Sequence, residues 1–302
     1  MAKSVLDSVG NTPVVKLARI NNTRSTILAK LEALNPSGSI KDIMALYMIN
    51  MAEKKGLLKP GSKIIEATSG NTGISFAMLA PLKGCQFVAV MPEHMSKERR
   101  QMMQAFGAEI VLTPEKEGFV GTLKRVEQLA KENKDAWLPR QFDNPDNIAA
   151  HREITAKRIL QEVRDRIDVF VAGVGTGGTL MGVAEALRRV NRDVKIVAVE
   201  PAESAVMSGG NPSSHLIQGI GPGFIPSLVN MALVDEVIKV KSNDAVAMTR
   251  RLIKEEGLMV GISSGANVLA ALEIAQRSGR GKTIVTILPD RGERYLSMDL
   301  FY

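Results

Sequence analysis

The sequence predicts an α/β fold built from two doubly wound domains, and three observations support this prediction. Short apolar runs suited to buried strands alternate with longer helical stretches, as in parallel βαβ units. This alternation occurs in both halves of the 302-residue chain. Between the halves lie residues 141–147, Gln-Phe-Asp-Asn-Pro-Asp-Asn, whose composition is typical of a turn or hinge.

The first half is predicted to contain three strands that alternate with two helices. Continuous apolar runs mark the strands, and helical spacing with turn residues at the ends marks the helices. The predicted strands are 63–67, 86–91 and 109–113, and the predicted helices are 72–83 and 96–106, the second closed by Gly107.

The second half repeats the pattern, which indicates a second α/β unit. Its predicted strands are 168–172, 194–199 and 282–288, and its helices are 242–256 and two that start at Thr179 and Ser264. We therefore predict an N-terminal domain of residues 1–145 and a C-terminal domain of residues 146–302.

Composition and charge make several classes of protein improbable. The formal net charge is +7, but lysines and arginines alternate with acids, and only three tyrosines and one tryptophan are present for stacking on bases. We therefore expect no nucleic-acid partner. The longest uncharged stretch, residues 169–184, is too short and too rich in glycine to span a membrane, so we expect no membrane association.

The cysteine and histidine residues narrow the chemistry further. Cys85 is the only cysteine, and no secretory signal is visible at the N-terminus, so a reducing, cytoplasmic location is expected. His94, His151 and His215 are far apart in the sequence. Neither a metal site nor a Ser-His-Asp triad is therefore indicated.

Lys41 is the first candidate for catalysis. It follows the turn-rich segment Asn-Pro-Ser-Gly-Ser-Ile and precedes an apolar helix predicted over residues 43–52. The positive end of a helix dipole disfavours the ammonium form, and an uncharged amine can form a Schiff base with an aldehyde. From this segment alone, an ordinary solvated lysine remains an alternative.

A first candidate anion site is the segment Thr-Ser-Gly-Asn-Thr-Gly at residues 68–73. It follows a predicted buried strand and opens a helix, so its hydroxyls and backbone N–H groups can converge on a carboxylate or phosphate. The alternative is that Ser69 or Thr72 only caps the helix.

A second candidate anion site is the glycine-rich segment at residues 173–179, Gly-Val-Gly-Thr-Gly-Gly-Thr. It matches G-x-G-x-x-G between a strand and a helix, and Glu200 follows at the distance where dinucleotide-binding enzymes hold a ribose. An NAD-dependent oxidoreductase using residues 173–178 is therefore a rival interpretation. Such an enzyme needs neither Lys41 nor a second anion site.

Ser263 and Ser264 begin another predicted helix, where either residue could serve as the N-cap. From the residues alone, this structural role is the simpler reading.

Considered together, seven segments resemble the cysteine synthase (O-acetylserine sulfhydrylase) family. They occur in the order of the family and span nearly the whole chain. The segments are residues 10–13, 35–42, 68–73, 91–96, 175–179, 218–221 and 292–297.

The resemblance implies a fold-type II pyridoxal 5′-phosphate enzyme, similar to the tryptophan synthase β subunit, with the cofactor in the cleft between two domains. Lys41 matches the Schiff-base lysine, Asn71 the partner of the cofactor 3′-hydroxyl, and Ser263 the group facing the pyridine nitrogen. The phosphate loop is matched by Gly175, Thr176, Gly177, Gly178 and Thr179. The site for the substrate carboxylate is matched by Thr68, Ser69, Asn71, Thr72 and Gln141.

The implied activity is replacement of the acetoxy group of O-acetylserine by sulfide, giving L-cysteine and acetate. Lys41 would act twice, because the lysine freed by the substrate amine also removes the α-proton. Relatives are usually homodimers, and some bind the C-terminal peptide of serine acetyltransferase.

Some residues keep related activities open. Gly38 and Asp42 resemble the B-type isozyme, whereas residues 218–221 resemble the A-type. Arg291 could favour a phosphorylated serine donor. An O-phosphoserine sulfhydrylase and the catalytic core of a cystathionine β-synthase therefore remain alternatives.

Overall fold

The computed structural model describes residues 4–298 and 301. The strands are β1 Val14–Lys16, β2 Thr26–Leu31, β3 Lys63–Ala67, β4 Gln86–Pro92, β5 Glu109–Thr113, β6 Val169–Gly173, β7 Lys195–Pro201, β8 Glu236–Val240 and β9 Thr283–Leu288. The α-helices are α1 Lys41–Lys54, α2 Asn71–Leu82, α3 Lys97–Ala105, α4 Gly118–Glu132, α5 Asp146–Ala150, α6 Ala156–Glu162, α7 Gly178–Val190, α8 Ser242–Glu256 and α9 Ile262–Arg277.

The strands form two sheets, which confirms the predicted α/β class. The larger sheet has the order β1-β2-β9-β6-β7-β8, and all its pairs are parallel except β1 with β2. The smaller sheet has the order β3-β4-β5 and is parallel throughout. Each predicted strand and helix is present, with ends that differ from the predictions by at most two residues.

The larger sheet draws strands from both ends of the chain. β2 pairs with β9 in the register Thr26 with Thr283 to Leu31 with Leu288. Residues 14–31 therefore join the strands of the second half, although they precede the predicted boundary at residues 145 and 146. The boundary itself stays a prediction.

Apolar helices cover both sheets. The helix α2 is buried over most of its surface, and Phe76 stacks on Phe87 of β4 with ring centroids 5.7 Å apart. Trp137 packs edge-on against Phe76 at 6.2 Å. Cys85 lies in this same core, with its Sγ 3.5 Å from the carbonyl oxygen of Lys59.

Across residues 4–298 and 301, no helix is both long enough and apolar enough to cross a membrane.

The topology of the larger sheet determines where ligands can bind. The chain leaves β6 for β7 on one side, whereas β9 lies on the other side. In open parallel sheets, a crevice forms at such a switch point, beyond the carboxyl ends of the strands. Here the crevice is bounded by the loop after β6, the start of α9 and the residues after β9, and it faces the loop after β3 of the smaller sheet.

Candidate active site

Two connected cavities lie in this crevice. The inner cavity is the more enclosed of the two, and the outer one is more open to solvent. Six residues line both cavities: Lys41, Asn71, Gly175, Thr176, Gly219 and Ile220.

Lys41 lies at the start of α1, as the sequence predicts, and its side chain lines both cavities. Burial lowers the pKa of its amine, while the nearby Asp290 carboxylate acts in the opposite direction. The segment before Lys41 is fixed by Asp42, whose carboxylate accepts hydrogen bonds from Ser37 N at 2.7 Å and Ser75 Oγ at 2.5 Å. Lys41 is therefore a positioned amine with a reduced tendency to carry a proton.

The glycine-rich loop after β6 forms one wall of the inner cavity. A Cβ atom on Gly175 would lie 2.3 Å from the carbonyl oxygen of Gly219, and Gly177 has a φ of +87°. Gly178 packs directly on Asn147, whose Nδ2 donates to Thr176 Oγ1 at 2.9 Å. Glycines are required here because the backbone approaches its neighbours closely. The loop leads into the N-terminus of α7, where backbone N–H groups lack helical partners and suit a phosphate.

Thr179 completes this loop, and its Oγ1 is 3.3 Å from Nε2 of His151. Burial lowers the pKa of His151 to about 3, so its ring is neutral at neutral pH. The histidine therefore adds no charge to the cavity wall.

Glu200 does not have the environment that an NAD-dependent oxidoreductase would require for binding a ribose. It is buried, and its carboxylate accepts hydrogen bonds from Met207 N at 2.8 Å, Ser208 N at 3.1 Å and Ser208 Oγ at 2.6 Å. The carboxylate is therefore used to hold the chain after β7 and does not line either cavity.

The loop after β3 forms the opposite wall. Thr68, Ser69, Asn71, Thr72 and Gln141 all line the outer cavity, as the sequence predicts. Thr72 Oγ1 donates to Gln141 Oε1 at 2.7 Å, and Gly73 N donates to Thr68 Oγ1 at 3.2 Å. This wall thus presents hydroxyl and amide groups beside the free N–H groups at the start of α2, which suits a carboxylate.

Gln141 is held in place by a buried carboxylate that the sequence analysis did not identify. Arg140, just before it, has a φ of +53°, and its N–H donates to Glu66 Oε2 at 2.8 Å. Burial raises the pKa of Glu66 to about 8, while hydrogen bonds from the backbone of Arg140 and Gln141 act in the opposite direction. Glu66 therefore fixes the turn that directs Gln141 into the cavity.

Ser263 lines the inner cavity in the first turn of α9, whereas Ser264 does not. The N-cap of this helix is Gly261, so neither serine supplies a side-chain cap. Ser264 Oγ is buried without a hydrogen-bond partner. The N-cap alternative for the two serines is therefore wrong, and the Ser263 hydroxyl is available to a ligand.

Residues after β9 contribute groups that the sequence analysis did not assign to the site. Asp290 Oδ2 accepts hydrogen bonds from Asn71 Nδ2 and from the Tyr295 hydroxyl, each at 2.6 Å, and Arg294 contacts Asn71 Oδ1. Asp290 Oδ1 is buried with no partner. Arg291 is exposed and donates to the Ala33 carbonyl at 2.9 Å, so it does not line the cleft.

The residues present fit pyridoxal 5′-phosphate. The amine of Lys41 can bind an aldehyde, and the glycine loop provides a cradle that a Cβ atom would fill. The Ser263 hydroxyl and the unpartnered oxygen of Asp290 provide further polar groups in the same cavity.

Comparisons with known proteins point in the same direction. A family model described as pyridoxal-phosphate dependent enzyme matches residues 5–290. A cysteine synthase of Staphylococcus aureus (strain N315) is 47% identical over 307 aligned positions, covering 100% of this chain and 99% of that protein.

Two solved structures are similar over the full chain. A cysteine synthase from Entamoeba histolytica has a TM-score of 0.96 and 44% identity, covering 100% of this chain and 91% of that one. An O-ureido-L-serine synthase also has a TM-score of 0.96, with 43% identity and coverage of 100% and 95%.

Proposed function

Because this chain belongs to the pyridoxal-phosphate dependent enzyme family, we propose that it acts as an O-acetylserine sulfhydrylase. The reaction replaces the acetoxy group of O-acetyl-L-serine by sulfide and gives L-cysteine and acetate. The observation that carries the proposal is the arrangement of Lys41 between two anion-binding loops, because one loop suits a phosphate and the other a carboxylate. An amino acid and a phosphate-bearing aldehyde can therefore bind side by side.

The proposed cofactor residues are those of the inner cavity. When bound, pyridoxal 5′-phosphate supplies an aldehyde carbon and an electron-withdrawing ring. Lys41 Nζ would bind the aldehyde carbon, and the N–H groups of residues 175–179 would bind the phosphate. Ser263 would face the ring nitrogen, and Asn71 would face the 3′-hydroxyl.

The proposed substrate residues are those of the outer cavity. Thr68, Ser69, Asn71, Thr72 and Gln141 bind the α-carboxylate and thereby orient Cα toward Lys41. The amine of Lys41 would accept the α-proton of the bound substrate, and acetate would leave from the β-carbon. The lowered pKa of Lys41 supports this role because it favours the unprotonated amine, which can accept a proton.

We further propose that the bound α-carboxylate draws the smaller sheet and its helices over the cleft and so excludes water. Three aromatic rings connect the two sides of the cleft and support this proposal. Phe142 contacts Phe119 of α4 at 6.3 Å and Phe224, which follows β7, at 5.3 Å between ring centroids. Small-angle scattering with and without an unreactive amino acid tests closure. Identical scattering in both states would contradict it.

Steady-state rates test the activity. The purified holoenzyme is given O-acetyl-L-serine, O-phospho-L-serine or L-serine, each with sulfide or homocysteine. We expect O-acetyl-L-serine with sulfide to give the highest kcat/KM. Preference for O-phospho-L-serine would indicate a phosphoserine sulfhydrylase, and preference for L-serine with homocysteine a cystathionine β-synthase.

We also propose a cytoplasmic homodimer that can bind the C-terminal peptide of serine acetyltransferase. The proposal rests on the family likeness and on the open outer cavity, which accepts a carboxylate. Light scattering of the purified protein tests the dimer, and competition between the peptide and O-acetyl-L-serine tests the docking. A monomer, or a peptide that does not compete, would contradict the respective part.

A further inference from the structure

Arg99 is a buried cation in the outer cavity to which the proposed function gives no role. It lies in the first turn of α3, where its N–H donates to the cap residue Ser96, and its side chain is 9% exposed. The guanidinium lies over the Tyr295 ring, 5.4 Å from the ring centroid. Its Nη1 is 4.0 Å from the position of a Cβ atom on Gly70, which belongs to the carboxylate-binding wall.

The guanidinium of Arg99 forms no salt bridge within the described part of the chain. No carboxylate lies within 4.0 Å of it there, and its buried Nε makes no hydrogen bond. The neighbouring Glu98 is directed to Ser96 Oγ, at 2.7 Å. A buried cation that no carboxylate pairs directly is destabilising, so this arrangement favours an anionic ligand.

Two nearby arginines also have a buried Nε without a partner, but their guanidinium groups lie elsewhere. Arg294 is also buried, but its guanidinium donates to the Ser37 carbonyl at 2.9 Å and contacts Asn71. Arg100, the next residue on α3, lines a separate surface groove with Lys97 and Gln101. Arg99 is thus the arginine that presents an uncommitted guanidinium to the cleft.

We propose that Arg99 binds the small anion that is exchanged at the β-carbon of the substrate. The inference rests on the proposed function. In that reaction the β-carbon to oxygen bond breaks, acetate departs with the bonding electrons, and hydrosulfide forms the new carbon–sulfur bond. The α-proton removed by Lys41 returns to Cα.

The charge balance explains why a single cation serves both halves of the reaction. One negative charge leaves as acetate and one enters as hydrosulfide, so the anion site is vacated before it is needed again. The α-carboxylate has its own hydroxyl and amide donors in Thr68, Thr72 and Gln141. Arg99 therefore remains available for the second anion.

Rapid mixing of the holoenzyme separates the two possible sources of this anion. Mixing with O-acetyl-L-serine alone reports acetate departure as a change in cofactor absorbance, and later addition of sulfide reports hydrosulfide entry. We expect Arg99→Gln to slow at least one of these steps on the order of 100-fold, as when a fixed donor to developing charge is removed. Arg99→Lys keeps the charge and should recover part of the rate.

The matched control is Arg100→Gln, which removes the same charge one residue away and should leave both steps unchanged. Spectral titration with L-alanine, which has an α-carboxylate but no leaving group, provides a second readout. We expect its affinity for the Arg99→Gln variant to equal that for the parent.

If only the acetate-departure step is slowed, the anion bound by Arg99 is the leaving group. If only the later step is slowed, the anion is hydrosulfide. The proposal is overturned if Arg99→Gln alters neither step more than Arg100→Gln does. The proposal is also overturned if Arg99→Gln weakens L-alanine binding by the same factor by which it slows the reaction. Arg99 would then bind the α-carboxylate. A parent enzyme that does not turn over O-acetyl-L-serine would instead refute the proposed function.

Discussion

The two walls of the cleft are built from the same unit, a buried strand followed by a loop and a helix, but they are held in different ways. In the wall after β6, close packing of the glycine backbone and the buried side chains of Asn147 and Asn267 hold the loop. Gly173 N donates to Asn267 Oδ1 at 2.7 Å, and Gly221 N donates to the Val174 carbonyl at 2.9 Å. In the wall after β3, Gly70 has open space around it, and polar side chains make links such as that between Thr72 and Gln141 at 2.7 Å.

This difference matches what each wall is proposed to bind. A cofactor stays through many turnovers, so a wall packed closely on its neighbours can hold its phosphate in one place. A substrate enters and leaves in each turnover, and side-chain hydrogen bonds can rearrange without unfolding the loop. The comparison teaches that two similar anion sites can differ in rigidity because of how their loops are anchored.

Lys41 lies where the two walls meet, so its replacement should have the largest effect. Without the amine, Lys41→Ala cannot bind the cofactor aldehyde or accept the α-proton, and we expect turnover to fall at least about 1,000-fold. Absorbance after gel filtration measures cofactor retention. Lys54→Ala, at the exposed end of the same helix, is the control. Full activity of Lys41→Ala would refute the assignment.

One glycine in each wall allows the difference in rigidity to be tested directly. Gly175→Ala places a methyl group 2.3 Å from the Gly219 carbonyl, so we expect cofactor affinity to fall on the order of 100-fold, corresponding to about 3 kcal/mol. Gly70→Ala finds open space, with its nearest atom at 4.0 Å and a φ of −119°, and should retain the cofactor.

After the cofactor has been removed, fluorescence titration with pyridoxal 5′-phosphate measures the cofactor affinity of both glycine variants. Equal cofactor affinity of Gly175→Ala and Gly70→Ala would mean that the walls do not differ as described.

Gln141→Ala removes a side chain from the wall after β3 and leaves the wall after β6 unchanged. We expect KM for O-acetyl-L-serine to rise about tenfold, in line with the loss of a hydrogen bond to a charged group, while cofactor absorbance stays unchanged. Steady-state kinetics measure the first quantity, and the exposed Gln101→Ala is the control. A loss of cofactor in Gln141→Ala would show that the walls are not separable.

The smallest effect is expected at Ser263, whose hydroxyl can donate to a neutral ring nitrogen. Ser263→Ala should keep β-replacement within about tenfold of the parent, because a single neutral hydrogen bond is lost. Ser263→Asp should change the cofactor spectrum and slow the reaction, since a carboxylate favours a protonated ring. Stopped-flow spectra of the same changes at Ser264 provide the comparison. If only the Ser264 variants differ from the parent, Ser263 is not the partner of the ring nitrogen.

Local sequence patterns predicted most of the secondary structure and part of the site. The position of Lys41 at the start of α1 followed from a turn-rich segment before an apolar run, and both loops followed from glycines between a strand and a helix. These signals are local, because each depends on residues within one strand–loop–helix unit. Fold class and the two anion loops were therefore accessible from the residues themselves.

Contacts between distant segments could not be predicted in the same way. The pairing of β2 with β9 joins residues more than 250 positions apart, and no local pattern specifies it. Asp290 reaches Asn71 across 219 positions, and Arg99 reaches Tyr295 across a similar distance. The only local signal for Asp290 was its position just after a buried strand, where ligand-binding residues of parallel sheets often lie.

The single thiol of the chain has a consequence for an enzyme that handles sulfide. Thiolates exchange with persulfides and oxidised sulfur species, and a protonated, enclosed thiol is much less reactive. Cys85 is buried in the core beside the smaller sheet. Its burial raises the pKa of the thiol, and the nearby Glu53 carboxylate raises it further. Cys85 is therefore protected from modification by persulfides and oxidised sulfur species, and the cysteine that the enzyme forms meets no competing thiolate in the cleft.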